Sequence, residues 1–165
     1  MAPKRILELA PEHDFSMFGI SCHLKDYRFC WMLNRQLETQ LRRVGDYYPK
    51  FNKDQDSQYA FPFYFGAENI RYESFYLLGN HSPEGDLLER LTQIDYLFLV
   101  HDMAYPLGSA GMVQEIRKIP QVLMAFEIKP SDIKDADALF SGIEICLLEY
   151  EKEQRQSPSF EIILE

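Results

Sequence analysis

Residues 59–78 read YAFPFYFGAENIRYESFYLL. Tyr59, Phe61, Phe63 and Phe65 alternate, which puts four aromatic rings on one face of an extended segment. Gly66-Ala67-Glu68-Asn69 has the residue types of a hairpin turn. Ile70, Tyr72, Ser74, Tyr76 and Leu78 then share one face of a returning strand. Pro62 cannot donate to a ladder, so it predicts an edge position or a bulge for the first strand. The aromatic row is either a core face or a contact surface, and Tyr59, Phe61, Phe63, Phe65, Tyr72 and Tyr76 are the candidate interface for a partner or a second copy.

Working outward, Gly79–Gly85 is a loop and Ile94–Val100 an almost wholly apolar strand interrupted by Asp95, the pattern of a strand covered on both sides. Ser109 caps a helix that runs to Ile119 before Pro120, and Gln121–Ile128 is a strand. Ser131–Gln154 is a helix with Leu139, Phe140, Ile143, Leu147 and Tyr150 as its stripe, and Phe160–Leu164 a last short strand. Upstream, Arg5–Leu9 is a short strand, Phe15–Ile20 fits strand or helix, and Leu41–Tyr48 is a strand. Leu24–Leu37 has no Pro or Gly and predicts a helix capped by Ser21, with Tyr27, Cys30, Trp31, Asn34 and Leu37 on its buried face. Hairpins combined with helices imply the α+β class: a mostly antiparallel sheet of about five to six strands carrying two to three helices.

The chain has 165 residues, 46% of them hydrophobic and 14% aromatic, which suits one domain over residues 1–165. No apolar run is longer than Tyr96–Val100, far short of the ~20 residues that cross a bilayer, and the N-terminus lacks a signal-peptide pattern. Three cysteines without an export signal are expected to be reduced thiols in the cytoplasm. The formal net charge is −9, and residues 80–165 hold seven Lys/Arg against sixteen Asp/Glu. That balance argues against nucleic acid and anionic membranes as partners. Arg42 and Arg43, with Lys50 and Lys53, are the one local basic run, most simply a solvated strand and turn.

The run Gly19–Asn34, GISCHLKDYRFCWMLN, resembles the opening segment of the IPExxxVDY family of small bacterial proteins: Gly-Ile, a His, Asp-Tyr-Arg, a Trp and an Asn. Ile94-Asp95-Tyr96 stands where that family's Val-Asp-Tyr falls, whereas Leu88-Glu89-Arg90 departs from Ile-Pro-Glu. The resemblance spans roughly residues 4–130, leaving 131–165 as an acidic helix and tail. It implies a cytoplasmic protein and carries over no reaction, cofactor or catalytic residue.

His23, Asp26 and Arg28, with His101 after the apolar strand, are the candidate catalytic or ligand-binding groups, as an acid/base or anion-binding cluster near a helix start. Structural ion pairs are the commoner use of such residues. Cys22, His23, Asp26 and Cys30 could ligate a metal, but the paired C-x-x-C knuckles of zinc sites are missing. The cysteines therefore read as core residues, with no metal or cofactor. A buried Asn34 must satisfy its amide and is expected to clamp nearby backbone. Asp95 needs a partner if it points inward, and Arg28 is the expected one, making Trp31, Asn34, Arg28 and Asp95 a structural anchor. Walker A and G-x-G-x-x-G patterns are absent, and Leu107–Gly111 lacks the first Gly of G-x-S-x-G. The expectation is a cytoplasmic, non-catalytic interaction protein that binds another protein or itself. The alternative is a small enzyme or ligand-binding protein built on the His/Asp/Arg groups.

Overall fold

The computed structural model describes residues 15–49, 59–68, 73–101 and 108–156. The expected strands at Arg5–Leu9 and Phe160–Leu164, Asn69 of the expected turn, and Ile70 and Tyr72 of the expected returning strand lie outside them. In chain order the elements are β1 (Phe15–Cys22), α1 (Asp26–Leu37), β2 (Arg42–Tyr47), β3 (Phe61–Glu68), β4 (Glu73–Gly79), β5 (His81–Ser82), β6 (Gly85–Asp86), β7 (Tyr96–His101), α2 (Gly108–Arg117), β8 (Val122–Ile128) and α3 (Ala136–Gln156). Six strands form one antiparallel sheet in the order β2-β3-β4-β7-β1-β8, and β5 and β6 make a separate small hairpin. The class is α+β.

Side-chain alternation divides the core between the two sheet faces. Phe18, Ile20, Cys22, Phe75, Leu77, Tyr96, Phe98 and Val100 pack beneath α1 and α2. Met17, Phe61, Phe63, Tyr76, Leu78, Leu97 and Leu99 pack beneath α3, which contributes Leu139, Phe140 and Ile143. This double cover explains why β1 and β7 are nearly continuous apolar runs despite being antiparallel. It also explains why Phe15–Ile20 was ambiguous: a strand buried on both faces loses the alternation that distinguishes it from a helix.

The aromatic row therefore is not a contact surface. Phe61, Phe63 and Tyr76 are buried, and Tyr59 and Phe65 pack partly buried against the same cluster. This chain's own α3 covers that face. Pro62 is not on an edge strand either, because β3 lies between β2 and β4. Ladder pairing to β4 begins one residue later, at Phe63 opposite Leu78, and the bulge falls across the pair in β2, between Arg43 and Gly45. Gly79 makes room for the proline: a Cβ there would meet the Pro62 ring at 2.9 Å.

The strand β3 also continues through the expected turn, since Gly66 and Ala67 pair with Phe75 and Ser74. Gly66 is there for proximity rather than turning. A Cβ on it would lie 2.8 Å from the Gln40 carbonyl oxygen, on backbone that has little freedom to move. Gly66→Ala is expected to destabilise the protein by about 1–3 kcal/mol, as overpacking does, measured as a lower midpoint in urea with an unchanged slope.

Candidate functional site

The helix α1 begins two residues later than the expected Leu24, and its N-cap falls four residues later than the expected Ser21. Strand β1 runs on to Cys22, whose backbone N–H donates to an Asp95 carboxylate oxygen at 2.8 Å, and Lys25 rather than Ser21 is the N-cap. The phase of the helix differs as well. Its buried residues are Phe29, Cys30 and Leu33, and Phe29 stacks on Tyr96 with ring centroids 4.6 Å apart. Trp31 is on the outside, 57% exposed, with the Arg35 guanidinium 4.8 Å from its ring centroid. Both stripes satisfy helical spacing: Cys30 is buried as expected and Leu37 packs against the core, whereas Tyr27 and Trp31 face outward.

Asn34 does clamp backbone. Its Nδ2 donates to the Leu41 carbonyl and its Oδ1 accepts from the Leu41 N–H, both at 2.9 Å. Thr39 Oγ1 donates to the same Oδ1 at 2.8 Å. The turn from α1 into β2 is thereby closed with its polar groups satisfied.

Asp95 does not pair with Arg28, which is exposed on α1. Besides the Cys22 N–H, Asp95 takes a hydrogen bond from Ser21 Oγ at 3.4 Å and lies 2.9 Å from His81 Nε2. The other ring nitrogen, Nδ1, is 2.7 Å from Asp86 Oδ1. An ionised carboxylate only accepts, so both contacts are satisfied together only when the imidazole carries two N–H groups, its cationic form. Burial opposes that charge. Hydrogen bonds and attraction from Asp86 and Asp95 outweigh the opposition, and His81 titrates above its ordinary value.

The loop holding this histidine is organised by Asn80, which is completely buried. Its Nδ2 donates to the carbonyls of Ile94 at 2.8 Å and Leu91 at 3.0 Å, and its Oδ1 accepts from Leu88 N–H at 2.8 Å. Asn80 and His81 fall within the expected loop Gly79–Gly85, and Asp86 directly follows it. The one available signal was compositional: a His flanked within five residues by an Asn and an Asp, with the lone acid of an apolar strand 14 residues beyond that His.

The four candidate catalytic groups do not converge. Asp26 turns inward, accepting from Tyr64 Oη at 2.5 Å and from Arg43 Nη1 at 3.0 Å, while Arg43 Nη2 reaches Asp46 at 2.5 Å. Burial, then the Asp26 carboxylate, push the Tyr64 phenol up. His23 and Arg28 are exposed. His101 sits on the α3 face of the sheet, its ring centroid 4.8 Å from that of Phe15. It lies at the far end of β7 from Tyr96, roughly 17 Å away at strand rise, whereas Tyr96 Oη donates to the Leu24 carbonyl beside α1. These groups are thus divided between opposite faces and opposite ends of the sheet. Cys22 and Cys30 are buried, and burial pushes the Cys30 thiol up to about 11. Among the described residues no three His, Cys, Asp or Glu side chains gather as metal ligands.

Two concavities stand out. A hollow of about 230 Å³ lies beside Leu88, Glu89, Arg90 and Leu91. A larger groove of about 530 Å³ runs between β2 and α3, with Tyr48, Ile145, Glu149 and Tyr150 on its walls. No helix among the described residues is long and apolar enough to cross a membrane. No protein-family model and no curated protein matches this sequence.

The raised His81 value fixes the sign of a pH effect. A group that binds its proton more tightly when folded adds stability below its unfolded value, and that increment disappears as pH rises through the folded one. Thermal stability is therefore expected to fall as pH rises from about 6 through the folded His81 value. His81→Gln should remove this slope, measured by calorimetry across that range. Equal slopes in both proteins would refute the assignment.

Proposed function

We propose that this chain is a non-catalytic, cytoplasmic interaction protein whose docking element is the outer face of α1. The observation that carries this reading is the placement of Tyr27 and Trp31, 61% and 57% exposed, one turn apart on a helix. The opposite face of that helix is anchored by Phe29, Cys30 and Leu33. A rigid element that presents large aromatics to solvent has already lost most of the freedom that binding would otherwise remove. Trp, Tyr and Arg are the residue types that dominate binding energy at protein contacts. Arg35 across the Trp31 ring and Arg28 beside it complete that set.

Membership of the IPExxxVDY family belongs to the same proposal and rests on Gly19–Asn34 and Ile94–Tyr96. Its two landmarks meet in space where Asp95 holds the Cys22 N–H, which favours an architectural role for the motif. Three free cysteines, two of them buried, suit a reducing compartment. The competing reading, an enzyme or ligand-binding cleft of His23, Asp26, Arg28 and His101, has lost its geometric support because those groups point to different parts of the molecule.

Trp31→Ala is expected to reduce capture of a partner from native lysate at least tenfold, the scale of a hot-spot residue. Its melting temperature should stay within about 2 °C of the parent, as for surface substitutions generally. Quantitative mass spectrometry of material retained by the two proteins provides the comparison, and identical profiles would exclude α1 as the docking element.

A further inference from the structure

The six-stranded sheet ends in β2 on one side and in β8 on the other. The β2 edge is defended. It carries Arg42, Arg43 and Asp46, with a bulge between Arg43 and Gly45, and charges and bulges of this kind keep an edge from pairing with another chain. The β8 edge lacks that protection. Val122–Ile128 is apolar except for Glu127, and Leu123 and Met124 are 65% and 37% exposed. Its one register shift falls beside Leu123, which leaves Met124–Ile128 regular. Among the described residues no strand pairs with its outer side.

The direction of its backbone groups follows from two hydrogen bonds. Opposite Ala125, the Ile20 carbonyl turns toward β7 and accepts from Asp95 N–H. The Ala125 carbonyl turns the other way and accepts from Nε and Nη2 of Arg117, at 3.0 and 2.8 Å. Backbone groups alternate along a strand, so Ala125 and Glu127 both direct N–H and C=O away from β1. Lys129 ends this row, because Asp132 engages both its N–H and its carbonyl.

We infer that β8 pairs antiparallel with β8 of a second copy of the chain, about a two-fold axis at Phe126, so that the two sheets become continuous. Charge selects this occupant and this register. Ala125 then stands opposite Glu127 of the second copy. The Glu127 side chain lies on the same sheet face as Ala125, under α1 and α2, since their β1 neighbours Phe18 and Ile20 both pack there. The incoming carboxylate therefore arrives beside Arg117. Arg117 passes from the Ala125 carbonyl to that carboxylate, a charge-assisted and stronger partner. The freed carbonyl accepts from Glu127 N–H of the second copy, and symmetry provides the exchange twice. Glu127 has no cationic partner among the described residues of its own chain. A two-fold axis at Glu127 would set two carboxylates opposite each other, and one at Ala125 would crowd the two Arg117 guanidinium groups; like charges in such positions are destabilising. On the α3 face, Phe126 meets its counterpart across the axis and Met124 lies opposite Ile128 of the second copy. Both copies use the same surface, so the contact is isologous and closes at a dimer. The pairing uses no residue of α1 and stands apart from the docking role proposed for that helix.

Sedimentation velocity on the full chain, with charge reversals on the two sides of the contact, tests it. The parent should pass from monomer to dimer with rising concentration and grow no further. Arg117→Glu and Glu127→Arg each bring like charges together across the axis, and each should dimerise about tenfold more weakly than the parent, or worse. Circular dichroism establishes that both are folded. Their equimolar mixture should recover the dimer, because every Glu then faces an Arg. Hydrogen exchange of the parent needs no substitution and decides alone if a reversal does not fold. The amides of Ala125 and Glu127 should exchange more slowly at dimer-forming than at monomer-forming concentration. A parent that stays monomeric to its solubility limit overturns the inference. So do assembly beyond a dimer, a dimer that both reversals retain, a mixture that fails to recover it, and exchange at these two amides that is independent of concentration.

Discussion

The carboxylate and backbone of Asp95 tie together three parts of the chain that are distant in sequence. Its side chain holds the Cys22 N–H at the end of β1 and one nitrogen of His81 after β4. Its backbone N–H donates to Ile20, and its carbonyl accepts from Asn80, both at 2.8 Å. Asp95 thus sits where the central strand β7 enters the sheet between β1 and β4, and it satisfies donors on both neighbours at once. A neutral residue there would leave an inward-facing N–H with no acceptor of equal strength, since hydrogen bonds to an ionised group are about twice as strong as neutral ones. The position of α1 follows from this joint. Because Cys22 remains in the strand, the helix starts at Asp26, and its phase then sets which residues meet the core.

That phase decides the character of the surface. With Phe29 against Tyr96 and Leu33 buried, Tyr27, Trp31 and Arg35 point to solvent. The same helix closes its exit with Asn34 on Leu41 and its entrance with Asp26 on Tyr64 and Arg43. Asp26, a candidate catalytic group in the sequence, and Asn34 are in fact the fastenings of one helix to the sheet.

The class, the antiparallel pairing, the central strand, α2 and α3 were legible because hydrophobic periodicity reports the local environment of each element. Tyr59, Phe61, Phe63 and Phe65 do share a face, as their alternation required. What alternation could not report was what covers that face: a core beneath α3 and an oligomer interface place the same demand on the residues of β3. The candidate site was less legible. Its histidine acquires its character from Asp86 and Asp95, which approach it from other parts of the chain. Asn80, which shapes the loop, is a single ordinary residue whose importance lies in being fully buried.

By itself the sequence determined the α+β class, the antiparallel hairpin and the distribution of charge, because these depend on residue type and on spacing within one element. Tertiary structure alone decided that α3 covers the aromatic row, that Trp31 faces outward and that Asp95 meets His81 rather than Arg28. Each of those outcomes is a competition between surfaces or partners far apart in the chain. Local periodicity is blind to such a competition, since both results obey the same local rule.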